Sequence, residues 1–225
     1  MNNRSVKGNM ISGNPAKELI IFAIPMILGN LFQQFYNIAD SVIVGKFLGP
    51  DALAAVGASN SITTLFVMVA IGTGIGCSVI ISQLFGAGRM KDVKSSISTA
   101  LIAIFAFSLI LSTIGFMLSG NILKWMHTPS DVYEEADKYL KIYFLGFAFL
   151  FMYNAFNAVF NALGDSAKPL VFLIFSSVLN IGLDILFVWK FGWGVAGAAW
   201  ATLIAQAVSA IISFIVLIQI GMRWI

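Results

Sequence analysis

The stretch SVLNIGLDILFVW, Ser177–Trp189, is apolar enough to lie in lipid, yet Asn180 and Asp184 stand in its middle, one helical turn apart. An aspartate at bilayer depth costs about 2.5 to 3.5 kcal/mol on insertion scales, so a chain that keeps one there has a compensation or a use for it. Whether this stretch is a membrane helix decides the fold. The surrounding composition answers: 59% of the 225 residues are hydrophobic, 10% are charged, and the mean hydropathy is +0.93. A water-soluble domain does not have that balance, so the chain reads as an all-α integral membrane protein.

Outward from Asp184, six stretches are long enough to cross a bilayer, because about 20 apolar residues suffice for a helix. They lie near 17–45, 52–84, 95–120, 138–162, 168–189 and 195–220, giving a transmembrane unit of 17–220 between a polar lead, 1–16, and a short tail, 221–225. The intervening segments GKFLGPDA, FGAGRMKDVK, KWMHTPSDVYEEADK, ALGDSAKP and KFGWG hold most of the charge and the turn-forming Gly and Pro. Arg4, Lys7, Lys17, Arg89, Lys91, Lys94, Lys168 and Arg223 fall on one side, against Lys46, Lys124, Lys138, Lys141 and Lys190 on the other. That bias places both termini in the cytoplasm.

The lone cysteine, Cys77, can form no internal disulfide, and the lone histidine, His127, belongs to no metal-ligating cluster. His127 and Trp125, beside Pro129, read as interface anchors. The GTGIG stretch, Gly72–Gly76, follows no strand and lacks the spacing of a phosphate-binding loop, so close helix packing is the expected role. Pro25 removes a backbone donor and is expected to kink the first span. No ATP-binding motif occurs, and neither an enzyme nor a nucleic-acid partner is expected.

Eight of the ten acids fall in loops or at helix ends; Asp40 and Asp184 alone lie within spans, and no Lys or Arg shares their depth. Their charge must be met by a proton, a bound cation or water. Helical spacing also draws polar stripes on four spans: Gln33, Asn37 and Asp40; Asn154, Asn157 and Asn161; Ser176 or Ser177, Asn180 and Asp184; and Thr202, Gln206, Ser209 and Ser213. Lipid offers no hydrogen bonds, so these stripes are expected to turn toward one hydrated interior. Amide and hydroxyl groups in membrane helices also serve simply as interhelical glue. Carboxylate, amide and hydroxyl oxygens are hard ligands that suit Na⁺ or a proton, not a transition metal.

Two membrane aspartates raise the thought of an intramembrane aspartyl protease, whose paired acids share a proton. The Tyr-Asp pair and Gly-x-Gly-Asp motif of such enzymes are both missing: the chain has Ala39-Asp40 and Ile181-Gly182-Leu183-Asp184.

Taken together, IPMILGNLFQQFYNIADSVIVGKFLG, ALAAVGASNSI, ISQLFGAGR, NALGDSAKP, LNIGLDILFV and GVAGAAWATLIAQ resemble the multidrug and toxic compound extrusion (MATE) family. That resemblance implies a fold of twelve helices in two lobes related by pseudo-symmetry, of which these six transmembrane helices are equivalent to one, the N-terminal lobe, and about half the usual length. It implies antiport of amphipathic or cationic organic compounds against Na⁺ or H⁺ across the prokaryotic inner membrane, with no cofactor beyond the coupling ion and with a second six-helix lobe as partner. The family's cation-site residues match Asp40, Asn180, Asp184 and Thr202; Gln33, Asn37, Asn154, Asn157 and Gln206 are candidates to line the cavity. Flippases of lipid-linked sugars share the helix plan, but they use basic residues in a central cavity, and no Lys or Arg lies mid-span here.

Overall fold

Within a bilayer each backbone N–H and C=O must find its partner inside the segment, so long apolar runs become helices. The computed structural model describes residues 15–222; Arg4, Lys7 and Arg223 of the charge count lie outside them. Helices α1 (Pro15–Leu48), α2 (Pro50–Gly86) and α3 (Met90–Trp125) each form a span. The fourth crossing is broken into α4 (Ser130–Leu145) and α5 (Phe147–Ala162), which meet at 52° around Gly146. The fifth is α6 (Ala167–Asp184), prolonged by a π-helical turn, Ile185–Lys190, and the sixth is α7 (Gly194–Met222).

The ends follow local chemistry. Between α1 and α2 the chain reverses on one residue, Gly49, whose φ of 89° is open to glycine, and Pro50 then supplies a preset φ at the helix start. Asp51, Asp92 and Asp131 sit in first turns and Lys46 and Lys124 in last turns, each complementing the helix dipole. α4 starts well before the expected 138. Its residues 131–141 include Asp131, Glu134, Glu135, Lys138 and Lys141 and bury Val132, Ala136 and Tyr139 on the other side, an amphipathic stretch that an apolar-run criterion passes over. α1 runs through Pro25 as one helix.

Lipid tails are as apolar as leucine, so these helices gain little from hiding apolar area and much from close contact of small residues. Among the unbroken spans α7 is the most enclosed. It packs on α4, α5 and α6 through Ala198, Ala199, Ala201, Ala205 and Ala210, all almost fully buried. Gly197 brings it against the π turn, where an added Cβ would lie 3.1–3.2 Å from the Phe187 backbone. Of the GTGIG glycines, Gly74 packs on α5, with Ala158 Cβ 3.1 Å from where its own Cβ would be, whereas Gly72 and Gly76 face open space.

Aromatic rings fill the middle of the lobe. Phe144, Phe147, Phe151 and Phe160 are fully buried, and Phe144 meets Phe66 at 5.4 Å and Phe147 at 4.9 Å between ring centres. The outer surface is apolar: Leu19, Phe35, Met68, Ile102, Met117 and Val178 are all more than 60% exposed, a surface built for lipid. The ion pairs Arg89–Asp92 and Lys168–Asp165 sit at helix starts, and Lys138–Glu134 and Lys141–Asp137 run along the polar side of α4.

Candidate cation site

Asp184 ends the regular part of α6, where the helix widens into the π turn, a feature that often accompanies functional sites. Its side chain is 0% exposed. Asn180, one turn earlier, is 1% exposed, and Thr202 on α7 is 6% exposed. α1 packs along α6 and supplies Asp40, which is half-buried and whose carboxyl comes within hydrogen-bonding reach of that of Asp184.

The Asn180 amide satisfies all its partners in one orientation. Its nitrogen donates to Asp184 Oδ2 at 2.9 Å, and its oxygen accepts from Thr202 N at 3.1 Å and Thr202 Oγ1 at 3.3 Å. Asn180 therefore serves Asp184 as a donor, with its own oxygen turned toward α7. The remaining carboxyl oxygens, Asp40 Oδ1 and Asp184 Oδ1, are buried without a protein hydrogen-bond partner.

Two carboxyl groups in contact carry a charge conflict. Two unit charges 4 Å apart repel by about 4 kcal/mol at an effective dielectric of 20, on top of the cost of burial. A proton or a small cation between them removes it. Among the described residues no lysine or arginine forms an ion pair with Asp40 or Asp184, so fixed basic charge is not what meets these acids.

Three tyrosines that a search for carboxylates and amides passes over complete the surroundings. Tyr36, four residues before Asp40 on α1, reaches Thr202 with its hydroxyl. Tyr139 on α4 is buried and sits in the field of both aspartates. Tyr143, one turn on, stacks with it at 6.2 Å and lies beside Gln206 of α7. The i−4 spacing of Tyr36 from Asp40, and the one-turn spacing of the other two, were the available signals.

The other expected residues divide. Gln33 and Asn37 do not join the acids: both are exposed, and Asn37 donates to Gln34 Oε1 at 3.3 Å. With Ser41, Lys46 and Leu53, Asn37 and Gln34 line an open groove of roughly 870 Å³ on the outside of α1. Asn154 is bonded within its own helix, to Leu150 O at 2.9 Å, and Asn157 meets Tyr153. The Oδ1 atoms of Asn157 and Asn161 and the hydroxyls of Ser209 and Ser213 are buried without protein partners. Ser176 donates to Ala205 O of α7 at 3.4 Å and Ser177 to Leu173 O at 2.8 Å, which is interhelical or back-bonding glue. Among the described residues no three His, Cys, Asp or Glu side chains come together so as to hold a metal ion.

Comparison with known proteins places this lobe. The MatE family model matches residues 25–186, which includes Asp40, Asn180 and Asp184. The chain is 36% identical over 197 residues to the probable multidrug resistance protein YpnP of Bacillus subtilis, covering 88% of this chain and 44% of that one. It is 30% identical over 199 residues to the probable multidrug resistance protein NorM of Thermotoga maritima, covering 86% and 42%. A solved transporter of the MOP superfamily from Pyrococcus furiosus superposes with a TM-score of 0.87 at 27% identity, over 95% of this chain and 46% of that one. An outward-facing multidrug resistance MATE transporter gives the same TM-score and identity, with 95% and 47% covered. The chain thus spans less than half the length of the relatives it matches. This multi-pass membrane chain belongs to the MatE family of transporters, and its six spans form one lobe of that fold.

Proposed function

We propose that this chain is the cation-binding lobe of an antiporter that exports amphipathic or cationic organic compounds in exchange for Na⁺ or H⁺. One observation carries the reading: two carboxyl groups, Asp40 and Asp184, contact each other inside a membrane lobe, Asp184 wholly buried. Neutral cation exchange at this pair is the economical use of so costly an arrangement.

Asp40 and Asp184 hold the ion, Asn180 orients Asp184 by donating to it, and Thr202 anchors Asn180 from α7. Occupancy ties α1, α6 and α7 together, and a cation that binds one packing of these helices more tightly shifts their equilibrium by that difference in affinity. The gradient supplies about 2.3 kcal/mol per charge per 100 mV. Substrate passes between this lobe and a second one, and the lysine and arginine bias puts the N-terminus in the cytoplasm.

The test is ethidium export from cells that carry the chain with a second lobe, under imposed Na⁺ and H⁺ gradients. Asp40→Asn and Asp184→Asn are each expected to abolish gradient-driven export. Export at the parent rate in either variant overturns the coupling role.

A further inference from the structure

The break in the fourth span lies far from the acids in sequence, yet it is built from parts that bear on them. At the end of α4 the Gly146 N–H donates to Ile142 O at 3.3 Å and Tyr143 O at 3.0 Å. The next carbonyl, Phe144 O, accepts a 2.6 Å hydrogen bond from Ser112 Oγ of α3, a helix that supplies no residue to the cation site. At the bend itself, Gly146 faces α7, where an added Cβ would lie 3.0 Å from Leu203 Cγ, the residue after Thr202. Gly146 has an ordinary φ of −81°, so the absence of a side chain serves this close approach and not the backbone. Behind the bend, Gly115 of α3 leaves the space that the Phe144 ring occupies.

The consequence falls on the tyrosines. Tyr139 and Tyr143 ride on the last turns of α4, and a change in the bend swings them relative to Asp40, Asp184 and Gln206. A different angle would change both the place of Tyr139 beside the acid pair and the close approach of Gly146 to Leu203. Three contacts from two other helices therefore fix one angle, and that angle fixes the tyrosine wall.

We propose that the Ser112–Phe144 hydrogen bond and the Gly146–Leu203 contact set the bend of the fourth span so that Tyr139 and Tyr143 wall the acid pair, making Ser112 and Gly146 positioning residues for cation binding. This rests on the reading of Asp40 and Asp184 as the cation site. Neither residue touches the ion; both act through α4.

The experiment uses the chain in lipid nanodiscs, with radioactive sodium and, separately, protons as probes, the latter followed by a pH dye after a pH jump. Whichever uptake disappears in the Asp40→Asn, Asp184→Asn double variant reports on the site. Ser112→Ala and Gly146→Ala are each expected to move half-saturation of that reporter by about tenfold, the lower end of what loss of a positioning group around a bound ion costs. Ser112→Thr keeps the hydroxyl and is expected to stay within about twofold of the parent. Melting temperature is measured in parallel, because a purely structural bond lowers it without moving half-saturation. Unchanged half-saturation in both alanine variants, whatever their melting temperatures, overturns the positioning role. Failure of the double variant to remove either uptake overturns instead the reading of the acids as a cation site.

Discussion

Gly115→Ala adds one methyl group to α3, and the structure leaves no room for it. Its Cβ would fall 2.2, 2.4 and 2.7 Å from three atoms of the Phe144 ring, more than 1 Å inside ordinary contact for the nearest. The ring cannot simply step back. Phe144 is 0% exposed and is boxed by Phe66 and Phe147, with ring centres 5.4 and 4.9 Å away. Relief requires α3 and α4 to part or the ring to leave its rotamer, so overpacking should cost about 2 to 3 kcal/mol, toward the upper part of the usual range. The assay is thermal unfolding of Gly115→Ala, Phe144→Leu and the double variant in nanodiscs. Phe144→Leu alone leaves a void and costs stability, but combined with Gly115→Ala the smaller side chain makes way for the methyl. A double-mutant cycle should then show a favourable coupling of about 1 kcal/mol or more. A Gly115→Ala variant that melts like the parent, or costs that simply add, refutes the packing argument.

Two further expectations follow from the same contacts. Gly74→Ala presses on Ala158 at 3.1 Å and the Asn154 carbonyl at 3.4 Å and is expected to lower the melting temperature, while Gly76→Ala, with nothing within 4 Å, is expected to leave it equal or raised through the gain in helix propensity. Thr202→Val removes the hydroxyl shared by Asn180 and Tyr36 at nearly constant shape and is expected to weaken the binding of the coupling cation by about tenfold, as a lost hydrogen bond beside a charged group does, with Thr202→Ser close to the parent, both read by equilibrium cation binding.

Much of this architecture was written in the sequence at the level where lipid forces a simple rule. Long apolar runs between Gly, Pro and charge become spans, and acids with no basic residue at their depth become conspicuous. The one-turn spacing puts Asn180 and Asp184 on one face of α6, and the structure gathers Asp40 and Thr202 beside them. Spacing failed where burial depends on neighbours from other spans. Gln33, Asn37 and Asp40 share a helical face, but α6 covers only its inner edge, so Asp40 turns to Asp184 while Asn37 opens onto the outer groove. The break at Gly146 carries no proline to announce it; it arises from Ser112, Gly115 and Leu203, which come from helices remote in sequence. The π turn after Asp184 is equally silent, since its residues ILFVWK would continue an α-helix as well as widen it.

The central claim is that a mobile cation settles the charge of Asp40 and Asp184, and cation stoichiometry measures it directly. Equilibrium binding of radioactive sodium, with proton release followed in the same sample, should show about one charge equivalent per chain exchanged in the parent, as a buried acid pair that shares one counter-charge requires. The Asp40→Asn, Asp184→Asn double variant should exchange none while keeping its helical content. Undiminished sodium binding and proton exchange in the folded double variant would contradict the account.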